Sequence, residues 1–224
     1  MAELAREDIA AVRRKVDAIP RPRPWPEWGG GWPGQVEAAL IDAVLSIQAR
    51  YGSSSTTGVR GAVNRYLSST DGDGNDLAAL AKRDWRELQV LIGKQETSGN
   101  PKAKAIVEAA SRLHDAGVRR ATDLHPEDAA HKRAYTGVNG LGSVTWIYFT
   151  MLLGKPSIKA DTWVVCFVHG ALGRRPTSKV AERLLEAVAT QMDVTATALD
   201  HAVWRYARTT GHQKLGCGCV TAGG

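Results

Sequence analysis

Cysteine is scarce in this chain of 224 residues. Three cysteines, Cys166, Cys217 and Cys219, are too few and odd in number for a disulfide framework. Cys217-Gly-Cys219 lacks the two further ligands that a tetrahedral zinc or an iron–sulfur cluster needs, so neither is expected. The histidines offer no metal site either, since His169 and His201 have no ligand spacing. The Asp71-Gly-Asp-Gly-Asn-Asp76 stretch looks like the opening of a calcium loop, but its twelfth position is Lys82, not a bidentate Glu. No metal is therefore expected on side chains. Long apolar runs are also missing: nothing approaches the ~18 residues of a membrane span. The N-terminus is charged and amphipathic, without the apolar core of a secretory leader, so the expected location is cytoplasmic. Strand signals are nearly absent, which leaves an all-α fold as the expectation.

What is present is enough for a core. Apolar residues make up 43% of the chain and charged residues 23%. Lys and Arg outnumber Asp and Glu 29 to 23, a formal net charge of +6, which fits a nucleic-acid partner without requiring one. Apolar positions recur at helical spacing over 3–18 (Leu4, Ile9, Val12, Val16) and 35–50 (Val36, Leu40, Ala43, Val44, Ile47). Further helices are expected at 58–68, 76–82, 84–93, 101–116, 126–134, 143–153, 161–171, 177–190 and 195–208. The Pro/Gly/Trp-rich stretch 20–34 cannot be helical, and its tryptophans suggest a loop pinned to the body. The glycine-rich stretch 209–224 reads as a flexible tail.

The chemically suggestive stretch begins at Val138-Asn-Gly-Leu-Gly-Ser-Val144. Gly140 and Gly142 permit a tight turn, and a helix starting at Ser143 would aim backbone N–H groups and its positive dipole end at an anion such as a phosphate. Asp161 follows Gly142 by nineteen positions, after Lys155-Pro-Ser-Ile-Lys159-Ala. An aspartate there is a natural helix N-cap and also a candidate catalytic carboxylate. Basic pairs at Arg119-Arg120 and Arg174-Arg175, and Arg205 with Arg208, could meet phosphate or water.

In these motifs the chain resembles the helix–hairpin–helix DNA glycosylase superfamily, in layout the endonuclease III branch. Residues 138–145 resemble that family's Leu-Pro-Gly-Val-Gly-x-x-Thr hairpin, and Gly154 to Thr162 the segment ending in its catalytic Asp-Thr. Leu45-Ser-Ile-Gln48-Ala resembles its Leu-Ser-x-Gln-Ala helix end, Asn100-Pro-Lys-Ala its Asn-Ser-Lys-Ala turn, and 180–188 its helix after the active site.

The resemblance implies an all-α, two-lobed helical bundle with an interlobe active-site cleft that flips a damaged or modified base out of double-stranded DNA. The segments expected are 1–34, a helix and loop packing on the body; 35–135, a helical lobe carrying DNA-intercalating loops; 136–208, the hairpin, the catalytic Asp and the following helices, a lobe that the N-terminal segment completes; and 209–224, the tail. Asp161 would be catalytic. Gly140, Gly142, Ser143, Val144, Gln48 and Lys159 would meet DNA, with Trp146, Tyr148 and Trp163 as candidates to stack the flipped base.

Relatives that also cut the strand carry a lysine where this chain has Val144, so the expectation is a monofunctional glycosylase that uses water and acts as a monomer at the nucleoid. The Leu wedge of some relatives is replaced here by Ser98-Gly99, and the Glu of the mismatch-adenine branch by Val44, with Asp42 nearby. No cofactor or iron–sulfur cluster is expected, beyond a monovalent or divalent cation held by hairpin carbonyls. Two other readings remain: a non-catalytic helix–hairpin–helix DNA-binding module, and a bifunctional glycosylase/AP lyase using a displaced lysine such as Lys159.

Overall fold

The computed structural model describes residues 4–20, 25, 31–49, 55–70 and 72–210. The chain divides into two compact units, Met1–Trp28 with Pro156–Gly224, and Gly29–Lys155. Among the described residues it is helical apart from one two-stranded ladder.

The first unit contains α1 (Arg6–Asp17), α9 (Thr162–Leu172), α10 (Ser178–Met192) and α11 (Ala196–Thr209). Its core comes from one apolar stripe of each helix: Val12 and Val16, then Phe167, then Leu184 and Leu185, then Leu199 and Val203. Side-chain caps set three of the helix starts, from Asp161, Thr177 and Thr195. Arg174 pairs with Asp8 and so ties the end of α9 to α1. Cys166, buried in α9, is disulfide-bonded, contrary to the expectation from so few cysteines. Cys217 and Cys219 lie outside the described residues, as does most of the expected tail.

The second unit contains α2 (Val36–Leu45), α3 (Gly58–Ser68), α4 (Leu77–Ala81), α5 (Trp85–Ile92), β1 (Glu96–Thr97), β2 (Asn100–Pro101), α6 (Lys102–Asp115), α7 (Ala129–Thr136) and α8 (Ser143–Leu152). Its centre is α2, which packs against α3, α4, α6 and α8. All ten residues of α2 are buried, Glu37 and Asp42 included, so this helix has no solvent face.

The boundary between units falls after Lys155, whereas the motif order suggested a break near 135. Helix α8 packs on α2, Phe149 stacks on Tyr135 of α7 and Trp146 packs on it at a tilt, so the hairpin and its helix belong with the preceding helices. The 20–34 stretch is likewise divided: Trp25 joins the first unit's core, whereas Trp32 is buried in the second unit, and Trp28 lies outside the described residues.

Three local features differ from expectation. Helix α2, expected to run to 50, ends at Leu45, with Ser46 as its C-cap. Helix α7 begins at Ala129, three residues later than the pattern suggests, because the Asp128 carboxylate accepts the Ala130 N–H at 2.6 Å. Residues 96–101, where no strand is expected, form a two-residue hairpin in which Ser98 (φ +49°) and Gly99 (φ +72°) make the turn, and Thr97 pairs with Asn100. Two successive positive φ values are the signature of a type I′ turn, which suits the twist of paired strands.

Glu37 supplies a stability prediction. Burial pushes its carboxyl up to about 7, against the weaker downward pull of the Tyr66 hydroxyl and of Arg83. Between the ordinary Glu value and pH 7 the folded state keeps a proton that the unfolded state loses, so stability falls as pH rises through that window and stays reduced above it. Glu37→Gln removes this cost. The substitution is expected to be near-neutral at pH 4 and to stabilise by about 2–3 kcal/mol at pH 8, measured by urea unfolding. An equal effect at both pH values would contradict this account of Glu37.

Candidate active site and hairpin

Asp161 lies in the first unit, where residues 157–161 alternate. Ile158 and Ala160 point into the core, while Ser157, Lys159 and Asp161 are half-buried. The segment ends in a γ-turn, the Asp161 N–H donating to the Lys159 carbonyl at 2.7 Å. The Asp161 carboxylate then caps α9: Oδ1 accepts the N–H groups of Trp163 (2.9 Å) and Val164 (3.2 Å). Both bonds fall on Oδ1, so Oδ2 has no hydrogen bond among the described residues. Capping α9 thus occupies one oxygen of this carboxylate.

The charge on Asp161 is set by opposing effects. Burial pushes its carboxyl above the usual range, while Lys159, the two α9 amides and Arg208 hold it back. Lys159, expected at a phosphate, therefore faces an acidic pair as well, because its charge also acts on Asp200. Asp200 of α11 is only 6% exposed, and its Oδ1 accepts the Lys159 N–H at 2.9 Å. Its carboxyl is pushed well up by burial and then by the charge of Asp161. The sequence reading missed Asp200. The available signal was its position on the buried stripe of α11, three residues before Val203 and seven before Ala207, where an acid is out of place.

Trp163 is half-buried and packs against the first unit's core. Tyr148, in the second unit, is half-buried and donates its hydroxyl to Asp42 Oδ1 at 3.4 Å. Trp146, a candidate to stack a base, is instead a core residue, 2% exposed and packed on Tyr135 and Phe149.

The hairpin turns through Gly140, whose φ of +89° favours glycine. A Cβ there would also sit 2.6 Å from Thr97 Cγ2 and 3.0 Å from the Thr97 carbonyl. The hairpin is docked on the 97–100 turn. Thr97 Oγ1 donates to the Gly140 carbonyl (3.3 Å), Asn100 Nδ2 to the Asn139 carbonyl (3.5 Å), and Asn139 Nδ2 to the Ser98 carbonyl (3.4 Å).

Gly142 caps α8 with φ −121°, a conformation open to any residue, and a Cβ there would meet nothing within 4 Å. Neither backbone strain nor internal packing demands a glycine at this exposed position. Its N–H, expected to point at an anion, donates instead to Thr145 Oγ1 at 3.0 Å. Ser143 is exposed and Val144 half-buried in the first turn of α8.

Gln48 follows α2, exposed, with φ +50°. The turn leading to it is held by Lys102, a buried lysine whose Nζ donates to the carbonyls of Leu45 (2.9 Å) and Ile47 (2.6 Å). Burial lowers the Lys102 amine from its ordinary value, and the two carbonyls, left open at the end of α2, receive its donors.

Among the described residues no group of three or more His, Cys, Asp or Glu side chains could hold a metal ion, and no helix is long and apolar enough to cross a membrane.

The fold is similar to that of a solved thermostable thymine-DNA glycosylase, with a TM-score of 0.54 over 89% of this chain and 83% of that chain. Sequence identity is 15%, so the likeness establishes the shared fold. No functionally curated protein matches the chain. A family described as a domain of unknown function, DUF8548, matches residues 10–208.

Proposed function

The chain belongs to the DUF8548 family, and from the chemistry of its candidate site we propose that it is a monofunctional DNA glycosylase acting on a damaged or modified base in double-stranded DNA. The observation that carries this reading is Asp161: one carboxylate oxygen caps α9 while the other has no hydrogen bond among the described residues. Breaking the bond from deoxyribose C1′ to the base nitrogen builds positive charge on the sugar. A carboxylate fixed beside that carbon stabilises the charge. Water then adds its oxygen to C1′, and the base leaves with a proton, so an abasic site remains.

The target nucleotide has to leave the stack for a carboxylate to reach C1′. In this proposal the exposed hairpin around Gly142 and Ser143 takes a backbone phosphate, and the open space beside Gly142 allows close approach. Gln48 meets the duplex, and Tyr148 and Trp163 are the aromatic candidates for the base. A cation at the hairpin would be held by backbone oxygens of Val138, Asn139 and Gly140. Each accepts one hydrogen bond within the second unit, and each keeps a second lone pair. The cation would supply positive charge for the phosphate.

Val144 brings no amine to the position a strand-cutting relative would use, which favours hydrolysis by water. The lyase alternative rests on Lys159, whose charge lies close enough to hold down the Asp161 carboxyl.

The test is incubation of the native chain with duplexes carrying alkylated purines, deaminated bases or mismatched thymine. Free base and alkali-labile sites are scored, and borohydride is added to a parallel reaction on abasic duplex. The proposal expects base release from at least one lesion, strand breaks only after alkali, and no trapped adduct. A borohydride adduct that disappears in Lys159→Ala would replace it with the lyase reading. Salt-sensitive duplex binding with no base released would replace it with a DNA-binding module.

A further inference from the structure

We propose that Asp200, together with Thr197 one turn before it on α11, is a positioning residue that holds the 157–161 segment and thereby aims Asp161. This rests on the glycosylase reading for its effect on catalysis, but the contacts are independent of it. Thr197 is buried and its Oγ1 accepts the Ser157 N–H at 3.1 Å. Asp200 Oδ1 accepts the Lys159 N–H at 2.9 Å. The two acceptors are three residues apart on one face of a helix, and the two donors are two residues apart in the chain leading to Asp161, so one helix turn spans both amides. The next amide along, that of Asp161, is bonded to the Lys159 carbonyl. The helix therefore grips two amides of the segment, and the γ-turn passes that constraint to the carboxylate.

Asp200 has a second consequence. Burial and the charge of the neighbouring Asp161 both push the Asp200 carboxyl well up, so of the two acids Asp200 is the harder to ionise. The Lys159 charge acts on both carboxyls, and that of Arg208 on Asp161. The neutral form of Asp200 still accepts the Lys159 N–H, so it can position its neighbour without competing for the positive charge that Asp161 is meant to stabilise. Below its own titration Asp161 is neutral and base release stops.

The test uses the full-length protein with Asp200→Asn, Asp200→Ala and Thr197→Val. Asparagine keeps a carbonyl acceptor and mimics the neutral acid. Asp200→Asn is expected to release base at close to the native single-turnover rate. Asp200→Ala is expected to be slower by about 10- to 100-fold, with duplex affinity unchanged, because misaiming a reacting group by ~1 Å can cost that much. Two readouts need no DNA. Hydrogen exchange at the Lys159 amide should accelerate in Asp200→Ala and stay protected in Asp200→Asn, and the Ser157 amide should respond in Thr197→Val. In carboxyl NMR titration the assigned Asp200 side-chain signal should change at higher pH than the assigned Asp161 signal. Should Asp200→Ala fail to fold, Asp200→Asn and Thr197→Val decide the matter through these readouts. Unchanged Ser157 exchange in Thr197→Val, or unchanged Lys159 exchange in Asp200→Ala, would overturn the proposal. If both DNA-free readouts behave as expected but no variant or native chain releases base, the glycosylase reading fails while the positioning of Asp161 by α11 stands.

Discussion

Asp161→Asn is expected to lower single-turnover base release by about 100-fold or more while leaving duplex binding and melting temperature close to native. Asparagine is as good an N-cap as aspartate, so its side-chain carbonyl can keep the bonds from Trp163 and Val164. What it loses is the negative charge at the second oxygen, the feature assigned to the oxocarbenium-like sugar. The substitution therefore separates the two roles of the residue. Asp161→Ala removes both, and its extra cost of about 1 kcal/mol in stability should appear in urea unfolding. An Asn variant that releases base at the native rate would show that Asp161 does no more than start α9.

The second large effect concerns stability in the other unit. Asp42 is completely buried and accepts from Trp32 Nε1 (2.8 Å), Ser46 Oγ (3.0 Å) and the Tyr148 hydroxyl (3.4 Å). These donors come from the loop before α2, from the end of α2 and from α8, so one carboxylate joins three segments. Asp42→Ala leaves all three donors facing an apolar methyl. The expected loss is about 3 kcal/mol, since the buried Trp32 donor is left unsatisfied, the half-buried Ser46 and Tyr148 hydroxyls lose their acceptor, and the network is cooperative. In a protein of this size that corresponds to a fall in melting temperature of roughly 6–12 °C. Asp42→Asn keeps one acceptor and should fall between the two. An unchanged unfolding midpoint in Asp42→Ala would contradict the role given to this network. Because Tyr148 and the turn before Gln48 adjoin the same helix, the network also bears on two residues proposed to meet DNA.

Much of this was legible in the sequence because local chemistry was allowed to decide. Helices α9, α10 and α11 start where Asp161, Thr177 and Thr195 cap them. The hairpin turns at a glycine that its φ favours. The failures came where distant parts of the chain decide. The burial of Trp146 depends on Tyr135 and Phe149 packing around it, and helical periodicity cannot distinguish a core aromatic from one lining a pocket. Asp42 was noticed without a known side, because α2 is buried all round and periodicity gives such a helix no outward face. Asp200 was passed over since its partner, the Lys159 amide, is 41 residues away and is a backbone group that leaves no mark in sequence. The β1–β2 turn was missed for a related reason: two-residue strands are too short to alternate, and Ser98-Gly99 was the only trace.

The central claim is that this protein breaks a base–sugar bond. Its most direct measurement is mass-spectrometric detection of free base after single-turnover incubation of the native chain with lesion-bearing duplex, at a protein concentration where all the duplex is bound. The account predicts a released base in stoichiometric yield with the DNA strand intact until alkali is added. Complete binding of every lesion duplex with no base in solution would contradict it.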